Sequence, residues 1–219
     1  MIVLVGGKKG GTGKSTISTN LAALRVEKAG HKNLLLIDTD SQGSTADWAY
    51  YRKESGRDGI ECIQLFEKRI VTEIDSKAKR YEDIIIDAGG RDSKELRYSM
   101  TVADIMLVPV GASQYDLNTI ADIDELLDQV RTINPDLTCY VVINNFPNHA
   151  KLTEGEEGVE YLKQFDNVIP IEFIIHHRIS FNRTAKEGVG VNELKSNGSI
   201  ADPKALKEIT KLYEVIYHE

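Results

Sequence analysis

KKGGTGKST (residues 8–16) stands just after a short apolar run, Met1 to Val5, that reads as a buried strand. The stretch closes on Gly13-Lys14-Ser15, the last three positions of the phosphate loop G-x-x-x-x-G-K-[ST]. The loop's first position falls on Lys8 instead of glycine, but glycines occupy 10, 11 and 13. They allow backbone N–H groups to turn inward around phosphate oxygens. A helix starting near Lys14 aims the positive end of its dipole at the same anion. Lys14 then neutralises the β- and γ-phosphates, and the Ser15 hydroxyl takes a coordination position on Mg²⁺. Gly10, Gly11, Thr12, Gly13, Lys14, Ser15 and Thr16 are the expected nucleotide-binding set. A glycine-rich turn without a ligand is the bland alternative. A dinucleotide fingerprint is disfavoured, because no G-x-G-x-x-G register fits Gly6 to Gly13. Lys9 is surplus to such a loop. Either it points into solvent or it has a second task.

Beyond the loop, apolar β-branched runs alternate with longer amphipathic stretches. Strands are expected at 2–5, 34–37, 60–65, 83–86, 105–110, 138–143 and 168–173. Helices are expected at 14–29, 44–53, 69–79, 93–102, 118–132, 155–164, 178–187 and 203–217. Continuous apolar strands belong in a parallel sheet buried on both faces. Their alternation with helices implies right-handed crossovers. The expected class is α/β: a doubly wound, mostly parallel sheet with helices on both faces, in one domain over 1–219. Ligands of such sheets bind beyond the carboxyl ends of the strands.

Composition agrees with a soluble core. Of 219 residues, 41% are hydrophobic and 28% charged. No apolar run approaches the roughly 20 residues that cross a bilayer. The N-terminal run lacks a basic leader and a cleavage site, so it does not read as a signal peptide. Cys62 and Cys139 are isolated and read as buried thiols, which points to the cytoplasm. Net charge is −7 and unevenly placed: residues 101–170 carry 3 basic and 12 acidic side chains. Binding to nucleic acid through overall charge is excluded; only a local patch can support it.

Two apolar strands end in acids. In LLLIDTDSQGST (34–45), alternation puts Asp38 and Asp40 on one face, near the phosphate loop. They could instead cap the next helix. In IIIDAGGR (84–91), Asp87 suits a water-mediated hold on Mg²⁺. Gly89 and Gly90 there can place an N–H against a γ-phosphate, making a nucleotide-state switch. His176 and His177 are adjacent, so they point apart on a strand and do not read as a metal pair.

With these residues assembled, K-G-G-x-G-K-[ST] resembles the deviant Walker A motif of the ParA/MinD family of ATPases, P-loop NTPases of the SIMIBI type. The similarity is greatest to small ParA-type (Soj/ParF-like) DNA partition proteins. LLLIDTDSQGST resembles the family's D-x-D-P-Q-G-[ST], with Ser41 in place of proline. ADIMLVPVGASQYDL (103–117) resembles A-D-x-x-x-x-P-V, with Gly111-Ala112-Ser113 where Thr-Pro-Ser is common. Gly188, Val191 and Glu193 fit a late G-x-x-V-x-E turn. The resemblance implies ATP and Mg²⁺ as cofactors, and a slow, partner-stimulated ATP hydrolase. It assigns Lys9, Lys14 and Asp40 to catalysis, with Lys9 reaching a partner subunit's phosphates and Asp40 orienting water. It assigns Ser15, Asp38 and Asp87 to the metal. It gives Asn144, in VVINNFPN (141–148), to the adenine edge; a turn-forming asparagine is the alternative.

The resemblance further implies an ATP-dependent homodimer that binds DNA without sequence preference, works with a ParB-like centromere-binding or adaptor protein, and is nucleoid-associated. Arg178, Arg183, Lys204, Lys207 and Lys211 are the candidate DNA contacts; a solvated helix face is the alternative. A dock for a basic partner peptide is expected over the acids Asp116, Asp122, Asp124, Glu125 and Asp128. LYEVIYHE at the end is not a basic amphipathic anchor, so no membrane partner is expected. The rival readings keep the engine and change the setting: positioning of a protein cargo, or action at a membrane surface.

Overall fold

A computed structural model describes residues 1–30, 33–57, 60–90, 93–148, 150 and 152–218. Arg91, the last residue of the second acidic motif, lies outside them. In chain order the elements are β1 (Ile2–Val5), α1 (Lys14–Ala29), β2 (Leu34–Asp38), α2 (Ser44–Glu54), β3 (Glu61–Gln64), α3 (Arg69–Ala78), β4 (Asp83–Asp87), α4 (Lys94–Met100) and β5 (Ile105–Val110). There follow α5 (Gln114–Leu117), α6 (Thr119–Val130), β6 (Thr138–Ile143), α7 (Leu152–Leu162), β7 (Ile169–Pro170), α8 (Ile179–Glu187), β8 (Lys195–Ser196), β9 (Ser199–Ile200) and α9 (Pro203–Tyr217).

Seven strands form one sheet in the order β3-β2-β4-β1-β5-β6-β7, and every pairing in it is parallel. Alternation sorts the strand side chains into two cores. Leu4, Leu35, Ile37, Ile84 and Ile86 face one cluster with Ile70, Leu96 and Ile123 of the helices α3, α4 and α6. Val3, Val5, Leu34, Leu36 and Ile85 face the other, with Leu21 of α1, Trp48 of α2 and Ile209 of α9. Both faces of β2, β4 and β5 are fully covered, which is why these strands read as unbroken apolar runs. The last helix is docked by its apolar face: Ala205, Ile209, Leu212, Tyr213 and Ile216 are buried. Among the described residues no helix is long and apolar enough to cross a membrane.

The structure shortens one expected element and adds two. The helix expected at 118–132 forms as α6, and a short helix that was not expected, α5, precedes it. The Ser113 hydroxyl accepts the Asp116 N–H and starts α5 at Gln114, ahead of α6. The strand expected at 168–173 pairs only at Ile169 and Pro170, on the sheet edge, where proline's missing N–H is tolerated. A hairpin, β8–β9, turns at Asn197 and Gly198, both with positive φ. Cys62 is half-buried and Cys139 buried, and burial pushes both thiols up to about 12.

Candidate functional site

The loops after β1, β2, β4, β5 and β6 leave the same edge of the sheet. The loop after β1 is built to meet an anion. Gly10 and Gly11 form a turn, and among the described residues the backbone N–H groups of residues 13–16 find no acceptor. They collect at the N-terminus of α1, where unmet donors and the helix dipole add. Gly13 stands there at φ 91°, and a Cβ on it would lie 2.3 Å from Asn144 Nδ2. Only glycine fits that conformation and that approach. The Lys14 ammonium folds back and donates to Lys9 O at 2.8 Å. Burial holds the Lys14 pKa down, opposed by the charges of Asp87 and Asp40. Thr12 Oγ1 is buried without a partner.

Asn144 is buried at the end of β6 beside the phosphate loop. Its amide donates to Thr12 O at 2.6 Å and so ties the end of β6 to the phosphate loop. It still lines the cavity on the far side of that loop, with Gly11, Phe146 and Glu154.

The acids divide their work. Asp38 and Asp87 are register partners on neighbouring strands, and both are buried. Asp87 accepts the Thr45 hydroxyl at 2.6 Å and the Ser18 hydroxyl at 3.3 Å, and it also bonds the Ser15 hydroxyl. Asp38 accepts three backbone N–H bonds, from Asp40 (2.9 Å), Thr45 (3.1 Å) and Ala46 (2.9 Å). The capping alternative is therefore met by Asp38, whose Oδ2 takes the first N–H groups of α2. Asp40 points elsewhere. Its Oδ1 accepts Gln42 N at 3.0 Å, and its Oδ2 lies so near Gly89 that a Cβ there would sit 3.1 Å away. Asp40 lines one cavity with Lys14, Ser15, Thr16, Gln42 and Gly90. Gly90 abuts the phosphate loop, its missing Cβ only 2.7 Å from Gly10 Cα.

These residues fit a nucleotide triphosphate with Mg²⁺. Unmet N–H donors and the Lys14 ammonium suit phosphate oxygens. Among the described residues no group of three His, Cys, Asp or Glu can hold a metal alone. Mg²⁺ is commonly held by one or two protein oxygens plus water and phosphate, and Ser15 with Asp87 supplies that pair.

Burial pushes the Asp87 carboxyl up to about 6, with the Thr45 and Ser15 bonds opposing and the Asp38 charge adding. Its ordinary value is 3.8. The folded state thus holds this proton more tightly than the unfolded chain. The stability contributed is full below about pH 4 and is lost as pH rises through 6, up to about 3 kcal/mol. In the ligand-free protein, Asp87→Asn is expected to flatten that fall and to raise stability at pH 7.5 by about 1–3 kcal/mol. Urea unfolding at pH 4.5 and 7.5 checks it. A variant less stable than wild type at the higher pH would show that the charge is well accommodated.

The remaining expected residues are scattered. Lys9 is held by Asp116 of its own chain. Lys204, Lys207 and Lys211 are exposed along α9, with Lys211 Nζ 5.6 Å from the Phe173 ring centre. Arg183 is exposed and lies 3.6 Å from Glu187. Arg178 leaves the DNA patch: its guanidinium donates to both oxygens of Glu208, and it is only 14% exposed. His176 Nδ1 shares Glu208 at 2.9 Å, while His177 Nδ1 meets Asn145 Oδ1 at 2.6 Å, so the two histidines do face apart. Four acids of the expected dock have partners within the chain. Asp116 takes Lys9, Asp122 lies 3.1 Å from Lys8, and Asp124 and Asp128 both bond Asn167.

Several site residues went unread in the sequence. Thr45 carries Asp87, and Trp48 donates to Val189 O at 3.1 Å from the wall of the Asp40 cavity. Arg52 forks onto Glu193 with two 2.7 Å bonds, tying α2 to the 188–194 turn. The S/T that follows the acidic turn was the one available signal for Thr45; nothing local marked Arg52 for Glu193.

Comparison with known proteins agrees with this geometry. The family described as CobQ/CobB/MinD/ParA nucleotide binding domain matches residues 3–191. The maintenance of carboxysome distribution protein A of Halothiobacillus neapolitanus is 23% identical over 195 residues, covering 88% of this chain and 87% of that protein. The structure of a plasmid partition protein of Borrelia burgdorferi bound to AMPPNP superposes with a TM-score of 0.74 at 20% identity, over 99% of this chain and 98% of that one. Apo McdA from Cyanothece superposes with a TM-score of 0.74 at 14% identity, over 98% of both chains.

Proposed function

From the premise that the chain belongs to the CobQ/CobB/MinD/ParA nucleotide binding domain family, we propose that it is a ParA-type positioning ATPase. It binds ATP with Mg²⁺, pairs as a sandwich dimer, holds DNA without sequence preference, and hydrolyses ATP slowly until an adaptor protein stimulates release. The observation that carries the reading is the phosphate loop: a row of unmet N–H groups at a helix start, its own Lys14, and the additional Lys9 at its leading edge. One loop lysine leaves a triphosphate's charge incompletely neutralised. A second subunit's Lys9 completes it, so nucleotide becomes the link between subunits. When bound, Mg²⁺ would supply charge compensation to the phosphates. Ser15 and Asp87 hold it, Lys14 and the loop amides bind phosphate, and Asp40 orients water.

DNA binding is assigned to the exposed Lys204, Lys207, Lys211 and Arg183, without Arg178. The cargo is DNA in one reading, with a ParB-like partner. The relative in H. neapolitanus, named for carboxysome distribution, favours the second: a protein body as cargo. The apolar face of α9 is buried against the core, so this helix does not offer that face to a membrane.

The test is retention of random-sequence duplex DNA with a non-hydrolysable ATP analogue or ADP. Retention is expected only with the analogue, and the triple change Lys204→Glu, Lys207→Glu, Lys211→Glu abolishes it. Each lost phosphate contact lowers the salt slope by about one. Equal retention by the triple variant would move the DNA surface elsewhere.

A further inference from the structure

The surplus lysine is already engaged. Lys9 Nζ donates to Asp116 Oδ1, and the other oxygen, Oδ2, accepts the Ser113 hydroxyl at 2.6 Å. The Asp116 N–H in turn reaches Ser113 Oγ at 3.2 Å. Ser113 and Asp116 are thus a reciprocal box at the start of α5, which fixes the carboxylate before Lys9 arrives. Burial alone would raise the Asp116 pKa, but the bonds from Lys9 and Ser113 prevail and hold it below the ordinary value. The loop before α5 is cut to fit. A Cβ on Gly111 would lie 2.4 Å from Asp116 Oδ2, so a side chain at 111 would displace the carboxylate. The next lysine follows the same pattern, with Lys8 Nζ 3.1 Å from Asp122 Oδ2 on α6.

This pairing is in competition with the dimer. One ammonium cannot face a carboxylate of its own chain and a phosphate of another. We propose that Asp116 is a positioning residue for Lys9: it parks the ammonium on its own subunit until a second nucleotide-loaded copy of this chain approaches. The inference rests on the dimer reading above. A triphosphate carries more negative charge than a diphosphate, so it draws Lys9 off Asp116 more effectively. The carboxylate thereby raises the protein concentration needed for pairing and sharpens the distinction between ATP and ADP. The pair is neither fully exposed nor buried, Lys9 being 46% and Asp116 17% exposed, which suits a contact that must break.

The experiment compares wild type with Asp116→Asn, Gly111→Ala and Lys9→Ala. Dimerisation is followed by sedimentation with Mg²⁺ and either a non-hydrolysable ATP analogue or ADP, after thermal melts confirm folding. Asp116→Asn is expected to dimerise with the analogue at about three- to thirtyfold lower protein concentration, since two such contacts open per dimer. It is also expected to dimerise measurably with ADP. Gly111→Ala shifts in the same direction by displacing the carboxylate, and it keeps the test alive if the asparagine variant fails to fold. A purely structural ion pair would lower melting temperatures and leave the ATP/ADP contrast unchanged. Unchanged or weaker dimerisation in both variants, with Lys9→Ala monomeric, overturns the role of Asp116 and leaves the dimer intact. Dimerisation of Lys9→Ala at wild-type concentrations overturns the dimer reading itself.

Discussion

Asp40→Ala is expected to lower ATP turnover by about 10²–10⁴-fold while leaving the nucleotide-loaded dimer assembled. Of Asp38, Asp40 and Asp87, Asp40 is the one that lines the open cavity. Asp38 is occupied by three backbone N–H bonds, and Asp87 by the hydroxyls of Thr45, Ser18 and Ser15. Asp40 instead faces Gly89 and shares its cavity with Lys14 and Ser15. The turn it sits on is held independently: Gly43 N bonds Asp40 O, a backbone contact that alanine keeps. Loss of the side chain therefore removes water orientation without dismantling the loop. Steady-state phosphate release, with DNA retention measured alongside, reads both effects. The variant is expected to stay on DNA after wild type has been released. Turnover within threefold of wild type would remove Asp40 from the reaction.

Lys9→Ala is expected to weaken nucleotide-dependent dimerisation by about 10²–10⁴-fold. A charge-assisted contact contributes about 1.5–3 kcal/mol, and a two-fold dimer contains it twice. Monomer affinity for ATP should fall far less. Lys14 and the N–H groups of residues 13–16 remain, and the Lys9 carbonyl that receives the Lys14 ammonium is backbone. That separation is the diagnostic feature. Equilibrium binding of a fluorescent ATP analogue, set beside sedimentation of the same samples, measures the two constants. Equal loss of both would mean that Lys9 supports its own loop and does not reach a partner.

Much of this was legible because the fold is written in uninterrupted apolar strands. β2, β4 and β5 are covered on both faces, so their hydrophobic runs survive without any register information. The phosphate loop was legible because backbone chemistry fixes its glycines and Lys14 in sequence. The acids were half legible. Strand alternation locates Asp38 and Asp40 together, but the chain leaves the strand at Asp38, and the turn that follows sends the two carboxylates apart. Asn144 shows the same limit, since its partner Thr12 is 132 residues away. The pairing of Lys9 with Asp116 spans 107 residues and depends on a missing methyl at Gly111, a detail that only the folded loop displays. Two signals were present and unread. Ser113-x-x-Asp116 announces the start of α5, and Asn197-Gly198 announces the β8–β9 hairpin.

The central claim is that nucleotide triphosphate joins two copies of this chain. Sedimentation velocity of the wild-type protein with Mg²⁺ and a non-hydrolysable ATP analogue, with ADP as the paired control, tests it most directly. The account predicts a species of two-chain mass with the analogue and of one-chain mass with ADP. A single-chain species with the analogue at every workable protein concentration would contradict it.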